Sequence, residues 1–182
     1  IGIDGNRLRR LTGKPSDWLA GAEGRQTSLI EDFDPCYLPD GGIVFVSTRT
    51  QTHIRCQYGG RYFANFLLYR ADDNGDNIRP LSFAEAPEWE PSVLGDGRII
   101  YSRWEYVDRP AIPIQSLWVI NPDGSGLAGY FGNRVISPGT FMEPRSIPGS
   151  SRIVCTMTGH NGPTRGAIGV VDRTRGVNAQ AA

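Results

Sequence analysis

The chain is predicted to be all-β, a partial β-propeller of about three four-stranded antiparallel blades plus a remnant. Three observations lead there. First, one pattern recurs: an acidic residue and a proline, a short apolar strand, a Pro/Gly/Asp turn, then a longer β-branched and aromatic strand. It runs from Asp34-Pro35 to Phe45, from Glu90-Pro91 to Tyr101 and from Glu143-Pro144 to Cys155. The spacing from Pro35 to Pro91 and on to Pro144 is that of a propeller blade. Second, another hairpin lies between the copies. Leu67–Ala71 leads through Asn74-Gly75 to Ile78–Leu81, and Leu117–Ile120 leads through Asp123-Gly124 to Leu127–Phe131. Third, 23 glycines and 13 prolines in 182 residues favour turns and short strands over helices.

In chain order, residues 1–13 read as the end of a preceding blade, with Asp4-Gly5-Asn6 as its turn. Residues 14–83 form a blade with inserted D–A and B–C loops, and residues 16–30 have room for one helical turn. Residues 84–132 form the next blade. Residues 133–182 form a further one, complete or cut short, with Ala167–Val171 as its third strand. Asp-Gly and Asn-Gly mark the hairpin tips because glycine enters positive φ without a Cβ clash. A chain that opens inside a hairpin is expected to be a piece of a longer polypeptide.

Charge narrows the function. With 19 basic and 19 acidic residues the formal net charge is zero, and no basic stripe is present for nucleic acid. Lys14 is the sole lysine, an arginine bias that a GC-rich genome would explain. Three cysteines without Cys-x-x-Cys spacing give neither a zinc ribbon nor a haem-attachment motif. There is no Asn-x-Ser/Thr sequon, no apolar run of membrane-spanning length and no signal peptide at this start.

In a four-stranded blade the A–B and C–D turns share one face, and the B–C and D–A connections share the other. Here the first set stays short and the second varies in length, which points to the second as the binding rim. Its candidate residues are Asp34, Arg103, Glu105, Tyr106, Asp108, Arg109, Glu143 and His160. The D–A connections add Asp17, Trp18, Glu31, Asp32, Glu85, Glu88, Trp89 and Glu90. Carboxylates ahead of each inner strand can gather a cation or polar ligand; the plainer role is capping backbone amides. His160, between glycine and asparagine, can act as ligand or acid/base at the channel mouth, or as an ordinary loop histidine. Cys36 and Cys56 read as a disulfide, as a half-built metal site completed by His160 or an acid with Cys36 and His160 the named ligands, or as two free thiols. Cys155, inside a strand, reads as packing. Trp104, Trp118, Tyr69 and Phe45 read as blade-to-blade filling.

The Pro-x-x-x-Pro-Asp-Gly-x-Ile-x-Phe-x-Ser-x-Arg run at 35–49 resembles the blade repeat of TolB-type, WD40-like propellers. Asp32–Gly41, Arg103-Trp104-Glu105-Tyr106-Val107-Asp108-Arg109, Gln115–Trp118 and Ile147-Pro148-Gly149 resemble the middle domain of the hydrazine synthase alpha subunit and its relatives. The resemblance covers roughly residues 30–172. It implies a six-bladed ring within a large protein that is periplasmic or otherwise exported, flanked in the synthase by c-type haem domains. The missing Cys-x-x-Cys-His motif keeps haem chemistry from being carried over. The expectation is a non-catalytic module, a scaffold binding a ligand or protein, with no cofactor in this segment. Its partners would be neighbouring domains of the parent chain or another protein, with neither nucleic acid nor membrane insertion. The alternative is a segment of a hydrazine-synthase-alpha-like redox enzyme that lends rim residues to a metal or haem site, with zinc or haem held by the parent. A peptidase-gating propeller would need a Gly-x-Ser-x-Gly elbow, which the chain lacks.

Overall fold

A computed structural model describes residues 5–6, 8–13, 30–54, 64–106, 114–135, 137–160 and 165–178. The fold is all-β and its sheets are built from antiparallel meanders. The first sheet orders four strands as they occur in the chain: β1 (Asp32–Tyr37), β2 (Ile43–Ser47), β3 (Leu67–Ala71) and β4 (Arg79–Pro80). A second meander follows with β5 (Glu88–Val93), β6 (Ile99–Glu105), β7 (Ile114–Ile120) and β8 (Ala128–Phe131). A third comprises β9 (Thr140–Ser146), β10 (Ile153–Thr158) and β11 (Ala167–Val171). One parallel pairing, Gln115 with Thr140, joins the second and third units into a seven-stranded sheet. The 16–30 helical turn lies almost wholly outside the described residues. No helix among them is long and apolar enough to cross a membrane.

Strand alternation packs the units face to face. In β6, Ile99 and Tyr101 face the first unit and meet Val44, Val46 and Leu68. Ile100 faces the other way, joining Leu117 and Val119 against Phe141, Ile153, Cys155 and Val171 of the third unit. A strand buried on both faces must be apolar along its length, and β6 begins Ile-Ile-Tyr. Phe45 and Tyr69 stack on the first unit's outer face, at 6.3 Å between centroids. Trp118 borders the first interface, Cys155 fills the second, and Trp104 packs with Ile54 and Ala86.

The acid–proline pairs are part of the strands rather than a prelude to them. β1, β5 and β9 each begin before the acid, and ladder register shifts across Asp34-Pro35, Glu90-Pro91 and Glu143-Pro144. Proline has no N–H for the ladder and discourages right-handed helical geometry in the residue before it. The chain resolves this with a bulge whose first residue is left-handed. Asp34, Glu90 and Glu143 have φ of 51°, 55° and 52°.

Candidate functional site

The three bulges make one polar structure. Turning left-handed frees the acid's own N–H from the ladder and aims it at the neighbouring unit. The Glu90 N–H donates to Asp34 Oδ2 at 3.2 Å, and the Glu143 N–H donates to Glu90 Oε2. Glu143 in turn accepts from Thr156 Oγ1 at 3.0 Å. The carboxylates therefore form a directional ladder across β1, β5 and β9, with Asp34 and Glu90 each holding the amide of the next acid. Burial and the charges of Glu143 and Asp34 push the Glu90 carboxyl up, against the Glu143 amide and the Arg145 guanidinium. Ser92, two residues past Glu90, adds a second tie by donating to the Pro144 carbonyl at 2.6 Å.

Two residues before Glu90, Glu88 is fully buried between the first and second units. Its Oε2 accepts from Ser82 Oγ and from the Leu68 N–H, and its Oε1 lies 3.6 Å from Arg103 Nη1. Desolvation raises its carboxyl above the ordinary range, opposed by Ser82, Arg103 and the Leu68 amide. Asp32, at the same place in the first unit, pairs with Arg49 at 2.8 Å. Arg103 lies 4.5 Å over the Trp118 ring. It is thus bound inward within the second unit, against the Glu88 that reaches Leu68 of the first.

The other rim candidates separate. Trp104 holds an aromatic corner, with Tyr106 edge-on at 5.6 Å and the His160 ring tilted against it at 5.6 Å. Tyr106 is exposed, and burial pushes the His160 imidazole below its ordinary value. Glu105 is half-buried at the end of β6, opposite Ile114. Asp34 and Glu143 belong to the ladder. Asp108, Arg109, Cys56, Asp17 and Trp18 lie outside the described residues.

Cys36 and His160 do not meet. Cys36 pairs with Val44 near the Asp40-Gly41 turn, and Arg145 and the Val93 amide act on its thiol. The Trp104 corner that His160 joins touches the other end of β5, where the Trp104 N–H donates to the Pro87 carbonyl. The length of β5 separates the two by roughly 16 Å. Cys36 is a free thiol whose protonated form is favoured by burial. Among the described residues, no three His, Cys, Asp or Glu side chains are grouped to hold a metal.

The short turns collect on one side. Asp40, Asp96-Gly97 and Asn121-Pro122 border one groove there, and Arg70 bridges it to Asp40 at 2.6 Å and to the Pro122 carbonyl at 2.9 Å. The ladder went unrecognised in the sequence as a contact between units, although the repeated acid–proline step was its signal. No protein-family model matches the chain, and no curated protein matches it significantly.

Proposed function

We propose that the chain is a β-propeller segment acting as a non-catalytic scaffold, which binds a ligand or protein on the side opposite its short turns. Three antiparallel meanders packed face to face, with acid–proline bulges at equivalent places, support the propeller reading. The observation that carries the non-catalytic reading is the employment of the chemically able side chains. Asp34, Glu90, Glu143, Glu88 and Arg103 are all committed to contacts between or within units. Among the described residues, Tyr106 is presented there over the Trp104–His160 corner. Aromatic side chains of this kind anchor interfaces with little loss of entropy. The setting we assign is a periplasmic or otherwise exported protein, with neighbouring domains or a separate protein as the partner.

A photo-crosslinking residue placed at position 106, and separately at Asn74 on the short-turn side, tests this in the native host. Adducts from position 106 and none from position 74 are expected. Adducts from position 74 alone, or from neither, would overturn the assignment of the binding side.

A further inference from the structure

On the short-turn side a cleft of about 640 Å³ lies between the second and third units. At the tips of the three equivalent hairpins β1–β2, β5–β6 and β9–β10, a side-chain oxygen accepts the backbone N–H two residues on. Asp40 takes it from Gly42, Asp96 from Arg98 and Ser150 from Arg152, each at 3.1 Å. Asp40 and Asp96 bring a charge to that position and pair with arginine, Asp40 with Arg70 at 2.6 Å and Asp96 with Arg98 at 2.7 Å. Ser150 brings a neutral hydroxyl. Arg152 Nε reaches it at 3.2 Å, as Arg98 Nε reaches Asp96 at 2.9 Å. The third tip therefore lacks the negative charge that its two counterparts carry.

Arg173 lines the same cleft, its guanidinium 4.5 Å over the Tyr130 ring. Among the described residues no carboxylate pairs with it. The nearby acids are engaged: Asp96 with Arg98, and Asp172 with the Thr174 N–H and hydroxyl at 3.0 and 2.6 Å. Leu94, Tyr130 and Ile153 supply apolar wall.

We propose that this cleft binds a small organic carboxylate, its head shared by Arg173 and the Ser150 hydroxyl and its apolar body on Leu94, Tyr130 and Ile153. The ligand's carboxylate takes the role that Asp40 and Asp96 play at the other tips. A guanidinium matches a carboxylate in shape and charge, and the cleft is of ligand size. Ser150 accepts from Arg152 and keeps its own O–H to donate. The site lies within one copy and on the side away from Tyr106, so it stands apart from the scaffold assignment.

The test titrates benzoate into the 182-residue chain, with benzamide as the neutral isostere and inorganic phosphate as the rival anion. Binding is read from the amide and arginine Nε resonances of residues 150 and 173. Saturable shifts with benzoate alone are expected. Arg173→Gln should weaken binding at least about tenfold, the worth of one charge-assisted hydrogen bond. Ser150→Asp, which installs the carboxylate of the other tips, should abolish it, and circular dichroism checks that the variant folds. Should it unfold, Arg173→Gln decides. Equal binding of benzamide, tighter binding of phosphate, no saturation by benzoate, or benzoate binding undisturbed by both variants would overturn the proposal.

Discussion

Glu90 sits in the middle of the ladder, accepting the Glu143 amide while its own amide is held by Asp34. Its left-handed φ of 55° is strained for a long side chain and tolerable for asparagine. Glu90→Ala removes the acceptor and keeps the strain, so a loss of about 1 kcal/mol is expected in urea unfolding. Glu90→Asn should lose less. Glu88 makes a pH prediction. Burial raises its folded carboxyl above the unfolded value, so the folded state binds the extra proton. Its contribution is therefore fully present below the unfolded value and is lost as pH rises through the folded one. Glu88→Gln should flatten that limb in urea midpoints measured from acid to neutral pH; an unchanged limb would count against the burial argument.

At the scale of elements, the backbone link between the second and third units is thin. Among the described residues, Gln115 and Thr140 make the one parallel pairing, reinforced by Thr140 Oγ1 donating to Gln115 Oε1 at 3.0 Å. The load falls on side chains, above all Phe141, which is 1% exposed and packs edge-on to Phe131 at 5.4 Å. Phe141→Ala should cost about 3–5 kcal/mol by opening a cavity in that interface. Thr140→Val should cost far less. Denaturant unfolding of the two variants measures the difference, and equal losses would show that the pairing dominates.

For the whole molecule, the end at β11 differs from the two interfaces between units. The interfaces bury Tyr101, Ile100, Leu117 and Phe141 almost completely, whereas β11 leaves Ile168 81% and Val170 54% exposed. An apolar edge strand invites pairing with another chain, and a formal net charge of zero offers little repulsion against it. The chain should associate at neutral pH, and Ile168→Lys should reduce that association, as sedimentation velocity would show. A monodisperse monomer before the substitution would contradict this.

Much of the architecture was legible from local chemistry. Strand and turn residues act over a few positions, so Asp40-Gly41, Asp96-Gly97 and Asp123-Gly124 could be recognised as hairpin tips and Ile99-Ile100-Tyr101 as a strand from the sequence alone. The rim was less legible. Arg103 looked presented and proved to be paired with Glu88, while Cys36 proved to sit at the turn end, away from His160. The sequence by itself determined the strands, their turns and the three acid–proline steps, because backbone propensity is encoded residue by residue. Only the tertiary structure decided that Asp34, Glu90 and Glu143 hold one another's units, and that Ser150 and Arg173 share a cleft. A contact across some fifty residues depends on how neighbouring sheets pack and where each bulge turns its N–H, and no local pattern carries that geometry.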